Sequence, residues 1–316
     1  INSIYEKSIC CFSQYKNNKR KIIFNKSGQD TIVKLASNWR SLTNSTILGI
    51  TGSNGKTTTK DLIHHIFSKK FNCSKSVGNH NSLIGLPLSF LNTTISDEFS
   101  ILELGANEPN EIEKLCTIIK PKYSLITNIS NAHIKNYKSV NDIINTKAAI
   151  YHSTPTNGTA FINADCNHYN KMNLSCKIKT FGFKNDADYR GQLIYDDAYN
   201  LKMKINNQSI KVPSHLSHLP NLILSAYVIS NHFKIPSRTF ENALDDFKLP
   251  IGRGQIIKYK NCNIIDDTYN SNPSSLKLGI QRLTQLKIKN NKKILIIGDM
   301  LELGKAATKE HEKIGI

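Results

Sequence analysis

The stretch from Thr46 to Phe67, TILGITGSNGKTTTKDLIHHIF, constrains this chain more than any other. It opens on an apolar run, Ile47, Leu48 and Ile50, which reads as a buried strand. Gly52 and Gly55 then stand among small polar residues, where the chain can turn tightly and let a ligand approach the backbone. After Lys56 the pattern becomes helical, with Leu62, Ile63, Ile66 and Phe67 on one face. Strand, glycine loop, Lys-Thr and helix is the layout that cradles a phosphate on backbone N–H groups and a helix dipole. Gly52, Ser53, Asn54, Gly55, Lys56, Thr57 and Thr58 are the expected ATP contacts. Lys56 would reach the β- and γ-phosphates and the Thr57 hydroxyl a Mg²⁺ ion. The general pattern puts a further Gly where Ile50 stands; the chain has Thr-Gly-x-x-Gly-Lys-Thr-Thr.

At 316 residues the chain can hold two domains, or one large domain with two partial ones. Its formal net charge of +18 invites a nucleic-acid reading. The lysines are scattered, however, and runs such as Lys16 to Lys21 read as solvated surface. Seven cysteines without C-x-x-C spacing suggest reduced thiols in a cytoplasm and exclude a disulfide framework or zinc site. No apolar run reaches the ~18 residues of a membrane span, and the N-terminus has no signal-peptide pattern.

Along the chain, Lys21 to Phe24 reads as a strand and Asp30 to Leu42 as a helix, with Asp30 as its cap. Gly78 to Pro87 is an irregular Asn- and Gly-rich loop that carries Asn81. Ser100 to Leu104 is a buried-type strand ending at Glu103, where a Mg²⁺ ligand beside a phosphate loop belongs. Pro109 is expected to start the helix that follows. Tyr123 to Ile129 reads as another strand, followed by a polar loop with His133. A helix from about Val140 to Tyr151 carries Lys147. Residues 158 to 213 read as β-rich, with a hairpin turning at Asn206-Asn207. His218 to Tyr227 enters a helix, Ile264 to Asp267 is a strand running into acids, and Lys293 to Ile297 a further strand.

These words resemble those of the muramyl ligases, the Mur family, over about residues 30 to 316. The loop Gly-Ser-Asn-Gly-Lys-Thr-Thr-Thr-Lys is most similar to that of the member adding D-alanyl-D-alanine to UDP-N-acetylmuramoyl-tripeptide. Glu103-Leu104-Gly105-Ala106-Asn107 and Asp266-Asp267-Thr268-Tyr269-Asn270 point the same way, as does the Asn81 loop. The resemblance implies an α/β fold: a central ATPase domain with a mostly parallel sheet and a small antiparallel sheet. It divides the chain into 1–44, the remnant of an N-terminal UDP-substrate domain; 45–290, the central ATP-binding domain; and 291–316, the start of a truncated Rossmann-like C-terminal domain. It implies that Thr57, Glu103, His133 and a carbamylated Lys147 hold Mg²⁺, that Arg253 of Pro-x-Gly-Arg meets the γ-phosphate, and that Asp267 binds the nucleotide at the ribose. Lys56, Lys147 and Arg253 would then be the catalytic set.

Several positions depart from the family. Asn110 replaces a Gly and Ser82 an Asn. Ala148-Ala149 replaces Gly-Glu after the lysine. Leu219 and Leu222 stand where the family has two Asn, the second of which recognises adenine. Adenine is then held otherwise, as by Asn221 from a shifted turn, or its affinity is reduced. The implied function is ATP-dependent amide ligation in peptidoglycan precursor synthesis, in the cytoplasm, by a monomer. Its substrates would be UDP-N-acetylmuramoyl-tripeptide and D-alanyl-D-alanine, with no nucleic acid and no membrane insertion. Three alternatives stay open: another Mur-type ligase, acting on an amino acid or folylpolyglutamate; a nucleotide-binding chain without ligase activity; and a basic nucleic-acid-dependent ATPase.

Overall fold

The computed structural model describes residues 11–13, 22–24, 27–130, 137, 139–166, 168, 172–195, 200–260, 262–286 and 292–315. Strands β1 (Cys11–Ser13) and β2 (Ile22–Phe24) pair in parallel. Helix α1 (Gly28–Leu42) follows, and its N-cap is Ser27, whose hydroxyl accepts from the N–H of Asp30. The expected cap at Asp30 is therefore displaced by one turn: the acid lies inside the helix, where it complements the positive end of the dipole. Trp39 Nε1 donates to the Thr93 carbonyl and Arg40 Nε to that of Ile119, so α1 is tied to the elements that follow.

β1 and β2 form a small sheet of their own; the strands of the large sheet are β3 (Thr46–Thr51), β4 (Cys73–Lys75), β5 (Phe99–Glu103), β6 (Tyr123–Ile126), β7 (Thr159–Asn163), β8 (Lys177–Gly182), β9 (Tyr189–Tyr195), β10 (Leu201–Ile205) and β11 (Gln208–Lys211). They form nine strands in the order β11-β10-β9-β8-β7-β6-β3-β5-β4. Every pairing from β4 to β9 is parallel; β9, β10 and β11 pair antiparallel and continue the same sheet. Asn206, at φ +50°, turns the last hairpin as its sequence suggests. The helices between strands are α2 (Lys56–Phe67), α3 (Gly85–Phe90), α4 (Glu111–Ile119) and α5 (Val140–His152). After β11 come α6 (Pro220–His232) and α7 (Ser237–Asp246). A separate antiparallel hairpin, β12 (Gln255–Tyr259) with β13 (Cys262–Asp266), leads to α8 (Pro273–Gln285), and α9 (Ala307–Ile314) follows.

Alternation along the strands makes the two faces. Leu48, Ile50, Ile101, Leu125 and Phe161 pack against α2, α6 and α7. Ile47, Leu102, Ile126, Ala160 and Ile162 pack against α1, α3, α4 and α5. With helices on both faces, an open α/β sheet places its site beyond the strands' C-terminal ends, where strand order reverses. That point is β3, between β5 and β6.

Two other expectations are corrected. The helix after Glu103 begins at Glu111, with Asn110 as a left-handed N-cap at φ +65°, so Pro109 lies outside it. Asn is among the few residues that tolerate this region, which explains how it stands in for the family's Gly. The apolar run Lys293 to Ile297 forms no strand; Ile294 is 75% and Ile296 92% exposed. A strand exists only through a partner's ladder, and none among the described residues pairs with this run.

Phe67 closes α2's inner face at 0% exposure, edge-on to Phe99 and Phe233. Replacing it with Ala should cost about 3–5 kcal/mol in urea unfolding, whereas Ile95→Ala, on the surface, should stay within about 0.5 kcal/mol. Equal effects would contradict a core built on α2.

Candidate active site

The loop from Gly52 to Gly55 leaves β3 and enters α2. Gly52 sits at φ +147°, and a Cβ there would fall 2.0 Å from the Thr127 hydroxyl oxygen, so no side chain fits. Backbone contacts to β6's continuation hold the loop: Ser53 N–H donates to the Asn128 carbonyl, Asn54 N–H to Asn128 Oδ1, and the Thr127 hydroxyl to the Asn54 carbonyl. Gly55 caps α2 in the left-handed region without a side-chain hydrogen bond. The first N–H groups of a helix lack intrahelical partners, and here they face the loop with the positive end of the dipole.

Two amines converge on one carbonyl. Lys56 Nζ donates to the carbonyls of Gly52 (3.0 Å) and Ser53 (3.2 Å). Lys147, 5% exposed on α5, donates its Nζ to the same Gly52 oxygen at 3.2 Å. Burial pushes the Lys147 amine down to about 7, and the neighbouring Lys56 charge adds to the shift. Burial also lowers the Lys56 amine; Glu103 opposes that shift and Arg253 adds to it.

Glu103, at the end of β5, is 1% exposed. Its Oε1 accepts from Asn81 Nδ2 at 2.7 Å, and its N–H donates to the Ser76 hydroxyl. Asn81 lies so close to Gly105 that a Cβ there would meet its amide at 2.5 Å. The other carboxylate oxygen, Oε2, is buried with no hydrogen-bond partner among the described residues. A buried anion left with a bare oxygen is costly unless a cation takes it. The Thr57 hydroxyl is also buried, at 7% exposure. A carboxylate and a hydroxyl are the hard oxygen donors that could hold Mg²⁺. His133 lies outside the described residues.

A second layer comes from the hairpin region. Arg253 stacks its guanidinium 3.5 Å from the Tyr269 ring and donates to the Thr57 hydroxyl at 3.3 Å. Asn272, the N-cap of α8, exchanges hydrogen bonds with Asn54, giving at 2.5 Å and receiving at 3.4 Å. The Asn54 tip is thus held from both sides. Asp267 is exposed, and the nearby Arg282 donates to the Gly254 carbonyl. Gly52, Ser53, Asn54, Gly55, Lys56, Thr57, Thr58, Asn81, Glu103, Lys147 and Arg253 therefore gather at one sheet edge.

Leu222 is 9% exposed within the core, and Leu219 packs against the same cluster. Asn221 is exposed in the first turn of α6. Sequence reasoning missed Thr127, Asn128, Tyr269, Asn272 and His218. Asn before Pro is a helix-start signal that could have found Asn272. His218 lies beside Gly254 and is pushed down to about 3 by burial, with Arg282 and His215 adding.

Comparison with known proteins places this geometry in context. The Mur ligase middle domain matches residues 50–228, and the Mur ligase glutamate ligase domain residues 252–315. The UDP-N-acetylmuramoyl-tripeptide--D-alanyl-D-alanine ligase of Rickettsia prowazekii is 33% identical, over 94% of this chain and 68% of its own length. That of Buchnera aphidicola subsp. Baizongia pistaciae is 35% identical, over 89% of this chain and 62% of its own. The crystal structure of MurF ligase from Thermotoga maritima in complex with ADP superposes with a TM-score of 0.85 at 27% identity, covering 97% of this chain and 72% of that one. The chain thus spans about two thirds of the length of these relatives.

The Lys147 amine has a testable consequence. Its folded value near 7 lies below the unfolded lysine value, so between them the unfolded chain binds more protons and stability rises with pH. Below about pH 7 both states are protonated and the full burial penalty applies. Lys147→Met should therefore be more stable than the wild type near pH 7. That advantage should shrink by up to about 1.4 kcal/mol per pH unit as pH rises toward 9, in paired urea titrations. A constant difference would contradict a buried, readily deprotonated amine.

Proposed function

Given that the chain belongs to the Mur ligase family, we propose that it joins D-alanyl-D-alanine to UDP-N-acetylmuramoyl-tripeptide at the expense of ATP. The terminal carboxylate of the tripeptide takes the γ-phosphoryl group, ADP leaves, and the dipeptide amine attacks the acyl phosphate to release phosphate. Moving a phosphoryl group demands positioning and charge neutralisation more than covalent help from the protein. The observation that carries this reading is the pair of amines, half-buried Lys56 and buried Lys147, on the Gly52 carbonyl, near a carboxylate with a bare buried oxygen.

The roles follow from the chemistry of each group. Lys56 leaves the loop carbonyls for the β- and γ-phosphates, while the N–H groups at the start of α2 receive phosphate oxygens. Arg253, fixed by its stack on Tyr269, meets the γ-phosphate with a permanent charge. Glu103 and Thr57 hold Mg²⁺, which supplies charge neutralisation when bound, and His133 belongs to the same ligand set. Lys147, an amine depressed toward neutrality, is suited to take up CO₂ as a carbamate, which turns a cation into an anion beside the ion. Asp267 takes the ribose. With Leu219 and Leu222 turned into the core, Asn221 is the amide left near the start of α6 for adenine.

The same reading assigns residues 1–44 to an N-terminal substrate domain, 45–290 to the ATP-binding domain and 291–316 to the start of a C-terminal domain. It places the protein in the cytoplasm as a monomer; among the described residues no helix is long and apolar enough to cross a membrane. Leu222, buried, and Leu219, half-buried against the same core, in place of the family's two Asn favour a second reading, in which nucleotide binds but ligation is lost.

Mass spectrometry of reaction mixtures separates the two. Incubation with ATP, the UDP-tripeptide and D-alanyl-D-alanine should yield the UDP-pentapeptide and ADP in equal amounts. ADP binding without any pentapeptide would establish the second reading instead. Lys147→Ala should lose turnover, and added short carboxylates should restore part of it; no rescue would count against the carbamate.

A further inference from the structure

One buried charge remains unused by the mechanism above. Lys60, one turn after Lys56 on α2, is 0% exposed. Its Nζ donates to the Ser76 carbonyl at 2.9 Å and the Gly78 carbonyl at 2.7 Å, with Asp61 Oδ1 at 3.5 Å. Asp61 is itself shared with Lys75 at 2.7 Å. An ammonium has three donors, and here all three directions meet oxygen. A core position on a helix would normally hold an apolar side chain; a fully buried lysine carries a desolvation cost that packing alone does not require.

The chain it grips leads straight to Glu103. The Ser76 hydroxyl accepts the Glu103 N–H at 2.9 Å. Beyond Gly78 the loop delivers Asn81, whose amide binds Glu103 Oε1 at 2.7 Å and whose carbonyl accepts the Gly105 N–H at 2.8 Å. Glu103 is thus fixed at its backbone on one side and at its carboxylate on the other, by two parts of the segment that Lys60 holds. Oε2 is left bare at the end of this arrangement.

We propose that Lys60 is a positioning residue: it anchors residues 76–78 to α2, and through Ser76 and Asn81 sets the Glu103 carboxylate in the orientation that receives a divalent cation bound with the nucleotide. The inference rests on the nucleotide–metal reading given above. Lys60 touches neither nucleotide nor ion. Its effect is confined to the metal-dependent part of binding, because the loop from Gly52 to Gly55 is held separately by Thr127 and Asn128. Partners that orient a ligating carboxylate usually contribute about 10–100-fold to metal affinity.

Calorimetric titration of the chain with ADP, with and without Mg²⁺, tests this directly. In the wild type Mg²⁺ should tighten ADP binding. In Lys60→Met, ADP affinity without Mg²⁺ should stay within about twofold, while the gain from Mg²⁺ should fall by about tenfold or more. Ser76→Ala, which removes only the hydroxyl that meets Glu103, should show the same selective loss, and it answers the question if Lys60→Met does not fold. A wild-type-like Mg²⁺ gain in folded Lys60→Met, or in Ser76→Ala, overturns the proposal. So does equal weakening with and without Mg²⁺ alongside a lowered melting temperature, the signature of a merely structural lysine. If the wild type itself gains nothing from Mg²⁺, the nucleotide–metal reading falls first and this inference with it.

Discussion

Positive charge held under a glycine loop, with too few anions to match it, is the constraint on which this molecule's site depends. Lys56 and Lys147 share the Gly52 carbonyl, and Arg253 reaches Thr57 just beyond. Glu103 is the carboxylate buried among them. Carbonyl dipoles satisfy ammonium groups only in part, and two like charges on one oxygen repel. Such an arrangement favours an anion, as a preorganised phosphate cradle does. Burial first, and the neighbouring Lys56 charge second, hold the Lys147 amine low.

The rest of the fold serves to keep that arrangement in place. The parallel sheet brings β3, β5 and β6 together so that Gly52, Glu103 and Thr127 end at one edge. Arg253 and Asn272 then meet the loop and the start of α2 from a different part of the chain, through the Arg253–Thr57 hydrogen bond and the Asn54–Asn272 exchange. The Asn54–Asn272 exchange joins positions 218 apart in the chain.

Local sequence carried much of this. The inner face of α2, the strand ending in Glu103 and the Asn206 hairpin were legible because burial imposes a period on the residues that meet the core. The Gly loop was legible as a turn because the positive φ of Gly52 and Gly55 between strand and helix admits few other residues. What stayed hidden depends on distant partners. Whether Ser27 or Asp30 caps α1 is decided by where the chain turns, and both residue types are good caps. The run Lys293 to Ile297 has strand composition, but composition supplies no neighbour. Asn54 reads as a phosphate-loop residue and Asn272 as part of an Asn-rich turn, and only the fold sets them side by side. Lys60 has the look of a surface helix lysine, and only the path of residues 76–78 makes it internal.

A crystal structure of the chain soaked with a non-hydrolysable ATP analogue and Mg²⁺ addresses the central claim most directly. The account predicts triphosphate density on the N–H groups at the start of α2, with the Lys56 amine moved from the Gly52 carbonyl onto phosphate oxygens and the ion on Glu103 Oε2. A nucleotide bound elsewhere, or a Lys56 amine still on Gly52 with Glu103 Oε2 uncoordinated beside a bound triphosphate, would contradict it.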